Sequence, residues 1–146
     1  MSQAYQDDDA MSQAYQDDDA FDALMAEVMA TAERFGHRQH VRLTWLAVRR
    51  HGTEAAIRLV SDGIQRTARY AGAPQKYHAT VSRAWVELVG HHAHETDDFD
   101  ELLARRPELL DKRLLLHHYT PAALAAQEAR SGWVAPDRAP FPFAAA

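Results

Sequence analysis

Nine histidines and no cysteine in 146 residues mean that any metal chemistry in this chain rests on nitrogen and oxygen donors. Two of the histidines, His37 and His40, stand three residues apart in "FGHRQHVRLTW". Side chains at that spacing project from one helical face, so the pair is suited to two corners of a coordination sphere. A catalytic site built on imidazole needs a third ligand and one position left open for water or substrate. The third candidate is His78, in "QKYHATVSRAW". Neutral imidazole is the form that binds metal, and a helix N-terminus favours it over imidazolium. The plainer alternative is that these are surface or hydrogen-bonded core histidines, because an HxxH pair arises often by chance in a histidine-rich chain. The cluster His91, His92, His94 and Glu95 in "HHAHETDD" follows Gly90 in a polar stretch, and reads as an adventitious metal contact rather than a built site.

Other chemistries lack their residues. The chain has no glycine-rich phosphate loop, no GxSxG and no HExxH. Thr80 and Ser82 lie near His78, but no positioned base or oxyanion donor accompanies them. The paired carboxylate and histidine motifs of a di-iron bundle are also missing.

The histidines depend on helices to bring them together. Phe21, Leu24, Met25, Val28 and Met29 share one face of a first helix expected to stop near Gly36. A second helix is expected from about His37 to Arg50, and a third from the Thr53 cap to Gly72. Pro74 sits where a first-turn proline belongs and opens a fourth helix carrying Tyr77, Val81, Trp85 and Leu88. Two shorter helices are expected in "DFDELLARR" and "PELLDKRLLLHHY", and a last one begins at Thr120 and Pro121. No segment alternates between apolar and polar residues, so the fold class is all-α. The architecture expected is a compact up-down bundle of about four long helices plus two or three short C-terminal helices. Short connections make successive helices antiparallel and place His37, His40 and His78 at one end. Glu33, His117, His118 and Tyr119 are expected to reach that end, and the "HHAHE" cluster the other.

A net charge of -5 and the lack of a basic stripe argue against nucleic acid as a partner. No apolar run approaches the roughly 18 residues that span a bilayer, and the chain starts acidic, so no membrane association and a cytoplasmic location are expected. The first twenty residues are "MSQAYQDDDA" written twice. A unit so short and acidic is expected to be a disordered tail, residues 1–20, ahead of a helical domain at 21–132 and an extended proline-rich tail at 133–146. Trp133, Phe141 and Phe143 are expected to anchor that last segment.

The stretches "FGHRQHVRLTWL", "APQKYHATVSRAW", "LLDKRLLLHHYT" and "ARSGWVAPD" together resemble a family of small bacterial proteins of uncharacterised function. The likeness runs from about Phe35 to Asp137 and falls on His37, His40, Arg42, Trp45, Tyr77, His78, Thr80, Trp85, Tyr119, Arg130 and Asp137. Ala79 departs from it, standing where the family pattern has glutamate, and Ser82 stands where it has threonine. The resemblance implies a site at His37, His40 and His78 and supplies no reaction.

The leading expectation is a small metal-dependent enzyme acting on a small molecule. His37, His40 and His78 would bind zinc, iron or copper as Lewis acid or water activator, with Tyr119 or Arg42 orienting an anionic substrate. Trp45, Tyr77, Thr80 and Trp85 would line the substrate pocket. The alternatives are a non-catalytic binding module, with a ligand held between Trp45 and Trp85, and an interaction domain that forms a homodimer through an apolar helix face.

Overall fold

The computed structural model describes residues 2–143, with side chains from residue 10 onward. Every regular element among them is helical. The helices are α1 (Ser2–Met29), α2 (His37–His51), α3 (Thr53–Tyr70), α4 (Ala79–His92), α5 (Phe99–Arg105), α6 (Pro121–Ala125) and α7 (Gln127–Ser131). Tight 3-10 turns occupy Pro74–Lys76, Pro107–Leu110 and Lys112–His117. No helix among the described residues is long and apolar enough to cross a membrane.

The apolar stripe of α1 behaves as its spacing requires: Phe21, Leu24 and Val28 are all buried. After Met29 no large apolar residue follows until Phe35, and the helix ends there with nothing further to bury. Its start differs from expectation. The helix begins at Ser2, so the boundary expected at residue 20 falls inside it. The second copy of the decapeptide is held to the body by charge. Asp17, only 8% exposed, accepts hydrogen bonds from Arg58 Nε at 2.7 Å and from Gln13 at 3.0 Å. Arg66 pairs with both Asp18 and Asp22. The side chains of residues 1–9 lie outside the described residues.

These pairs run in the same order along α1 and α3, so the two helices are parallel. They approach closely at Gly63, where a Cβ would fall 2.2 Å from the Phe21 ring. Between α2 and α3, Gly52 makes the reversal at φ +86°, a conformation that L side chains rarely adopt. Thr53 then meets Gly90 and Ser61 meets Ser82, which makes α3 and α4 antiparallel and leaves α2 and α4 running the same way.

The fourth helix starts later than Pro74. That proline opens a 3-10 turn instead, and α4 begins at Ala79 and continues through Gly90 to His92. The "PELLDKRLLLHHY" stretch forms two 3-10 turns rather than one helix, because Asp111 breaks it and caps the second turn by accepting from Arg113 N. The last helix is divided at Ala126, whose backbone is extended. The C-terminal segment packs on the body: Phe141 is buried, and Trp133 and Phe143 lie half-buried against the core.

Gly63→Ala is expected to destabilise the fold by about 1–3 kcal/mol, since the new methyl must displace the Phe21 ring from a packed contact. Urea unfolding reads this directly, and an unchanged midpoint would show that α1 does not press on α3 there.

Candidate functional site

The first turn of α2 is fixed from both sides. Gly36 N donates to Gln39 Oε1 at 2.9 Å, which satisfies one open donor at the helix start. His37 Nε2 lies 2.9 Å from the carbonyl oxygen of Leu109. A carbonyl only accepts, so Nε2 carries the proton and Nδ1 keeps a free lone pair. The bond fastens the Pro107–Leu110 turn over the helix start. The His37 ring then stands edge-on to Trp85 at 4.7 Å between centroids.

His40 follows on the same face, 6.3 Å from the His37 ring and 6.2 Å from Phe35. Neither of its ring nitrogens has a hydrogen-bond partner among the described residues. Both imidazoles line a cavity of about 400 Å³, with walls of Val81, Trp85, Leu115, Leu116 and Leu124 and with Lys112 and Arg113 at its edge. Burial lowers the pKa of His40 to about 4, with a further push from His37. His37 is lowered mainly by burial, partly offset by its bond to Leu109, with Lys112 lowering it and Asp111 raising it. At neutral pH the pair is uncharged.

His78 does not join them as a ligand. Its Nδ1 accepts from Val81 N at 3.1 Å and caps α4, while its Nε2 donates to the Leu124 carbonyl at 2.7 Å. Both nitrogens are therefore committed to backbone, and metal ligation would cost the cap and the cross-chain bond together. The His37–His40 spacing is also wide. Two imidazoles on one tetrahedral ion, with bonds of about 2.0 Å, bring their centroids to about 5 Å. Among the described residues, no group of three or more His, Asp or Glu side chains is placed to hold a metal ion.

The other expected site residues disperse. Trp85 alone of the four pocket candidates lines the cavity with the histidines. Thr80 is fully buried and structural: its hydroxyl donates to Gly132 O at 2.8 Å and accepts from Val134 N at 3.1 Å. Tyr77 is half-buried and faces α3. Burial raises its pKa, a Ser61 hydrogen bond lowers it and Asp62 raises it. Trp45 belongs to a different groove, of about 890 Å³, between the end of α1, α2 and the start of α5. There its ring lies 5.4 Å from Phe99 and carries the Arg49 guanidinium at 5.0 Å. Arg42 lines that same groove and is not aimed at the histidine pocket. Tyr119 is a core residue whose hydroxyl donates to Val134 O at 2.6 Å, and burial raises its pKa to about 12. At "HHAHE", Glu95 is bound by Arg106 through both carboxylate oxygens and by His92 at 2.7 Å, which makes an ion-pair corner.

Five contributors to the pocket went unnoticed in the sequence. Lys112, Arg113, Leu115 and Leu116 come from the 3-10 turn, and Leu124 from α6. A helical wheel does not place residues of a 3-10 turn, so no periodicity pointed to them. Comparison with family models, curated proteins and solved structures finds no match to this chain.

His78→Ala is expected to cost about 1–2 kcal/mol through the lost cap, and His78→Asn to recover the capping part. Equal loss in both, measured by chemical unfolding, would place the stability in the Leu124 bond instead. The second expectation concerns pH. His40 titrates near 4 when folded and near 6.5 when unfolded, so between these values the unfolded chain holds the extra proton. The stabilisation is complete above about pH 6.5 and is lost as pH falls toward 4, amounting to about 3 kcal/mol. His40→Gln should flatten that part of the stability–pH curve relative to the parent, and parallel curves would show that His40 titrates as an ordinary histidine.

Proposed function

We propose that this chain is a small-molecule binding module whose ligand occupies the pocket at His37 and His40. The supporting observation is the His40 side chain, a polar group set among apolar walls with both ring nitrogens unpartnered. His40 is partly exposed at the mouth of this apolar cavity, so its ring nitrogens are open to a ligand seated there. A ligand with an apolar body would lie against Trp85, Val81, Leu115 and Leu124 while one polar group bonds His40. A mostly apolar cavity with one or two converging polar groups is the usual form of a small-molecule site.

The geometry favours binding over the metal-dependent enzyme. With His78 committed to backbone, the triad loses its third ligand. A general base works best with a pKa near the operating pH, and an imidazole at about 4 is too weak a base for efficient proton abstraction at neutrality. The ligand does not sit between the two tryptophans, because Trp45 and Trp85 line separate cavities.

Phenol and toluene are matched probes that differ in one hydroxyl. Titrated into isotopically labelled protein, both should shift the Trp85 indole and His40 ring signals, with phenol binding about tenfold tighter, the worth of one hydrogen bond to an otherwise unpartnered group. His40→Leu should bring phenol down to the affinity of toluene. Shifts confined to the Trp45 groove, or none from either probe, would end this reading.

A further inference from the structure

We propose that the ligand of the His37–His40 pocket is a small apolar monocarboxylate, with its carboxylate at the Lys112 edge and its apolar body against Trp85. This rests on the pocket being a ligand site and adds the chemical class of the ligand. The edge of the cavity carries two cations, Lys112 and Arg113. Arg113 is already answered. Its backbone N and Nε donate to Asp111 Oδ1 at 2.9 and 3.2 Å, so this cation and this carboxylate cancel. Lys112 has no carboxylate partner among the described residues, yet it is near enough to His37 to lower that imidazole's pKa. One uncancelled positive charge therefore stands beside two neutral imidazoles at the edge of an apolar hole.

Each candidate ligand class meets that arrangement differently. A cationic ligand meets like charge. A phosphate or dicarboxylate brings a second negative charge with no second free cation to receive it. An uncharged apolar molecule leaves Lys112 unused. A carboxylate matches one ammonium, and its second oxygen can accept the N–H of the neutral His40. The neutral state matters here, because an imidazole that keeps one N–H and one lone pair can donate to the carboxylate without adding charge of its own. Lys112 is exposed, so the ion pair is a rim contact and selects the class more than it sets the affinity. Most of the binding comes from Trp85, Val81, Leu115 and Leu124, and a cavity of about 400 Å³ is at the small end of ligand pockets.

Three probes of one shape separate these cases: 3-phenylpropanoate, 3-phenylpropanamide and 3-phenylpropylamine. Each is titrated into the full chain at pH 7 while the Trp85 and His40 ring signals are followed by NMR. The acid is expected to bind about fivefold tighter than the amide, the contribution of one half-exposed ion pair, with the preference shrinking in high salt. The amine is expected to be weakest. Lys112→Gln should reduce the acid to the affinity of the amide. If the amide or amine matches or exceeds the acid, or if Lys112→Gln leaves the preference for the acid intact, the carboxylate proposal is overturned while the pocket stands. If none of the three moves the pocket signals, both fall together.

Discussion

Both nitrogens of His78 are bonded to backbone, one within its own helix and one 46 residues away, and with its neighbour Thr80 this imidazole ties residues 124–134 to the start of α4. His78 caps α4 and holds the Leu124 carbonyl. Two residues on, the Thr80 hydroxyl binds Gly132 and Val134, and Val134 in turn receives the Tyr119 hydroxyl. One turn of chain at the start of α4 thus fixes α6, the stretch after α7 and the buried tyrosine. The pocket benefits from this, since His78 helps to hold α6 where Leu124 forms a wall. A histidine that looked like a metal ligand instead builds the site from behind.

Much of the helical framework was readable from spacing. The stripe of Phe21, Leu24 and Val28 is buried as its period demands. The His37–His40 pair shares a face and a cavity, as three-residue spacing predicts. The separation of Trp45 from that pair was also legible and went unused. At about 100° per residue, Trp45 lies roughly 140° around the helix from His40 and roughly 80° from His37, on the side away from His40.

Elsewhere the deciding facts were not local. The role of His78 is set by a carbonyl on α6, and no motif around "KYHAT" encodes that partner. The early start of α1 was obscured because an acidic repeat looks unable to bury anything. Its second copy needs to bury little, because Arg58 and Arg66 on α3 supply counter-charges to Asp17 and Asp18. The division of the last helix at Ala126 has no cause in residue type, as alanine is the best helix former. It coincides with the capture of the Leu124 carbonyl by His78, which takes an acceptor the continuing helix would have used.

The bond between His37 and Leu109 spans 72 residues and implies an order of assembly. The Asp17–Arg58 and Asp22–Arg66 pairs between α1 and α3 span 41 and 44 residues, so their loops close at lower entropic cost than the 72-residue loop of His37. The turn at Pro107–Leu110 and the walls at Leu115 and Leu124 arrive only after a long stretch of chain has folded back. The cavity is consequently a seam between a core that forms first and a flank that forms last. Its two sides are joined across the cavity by the His37 bond to Leu109 and the His78 bond to Leu124.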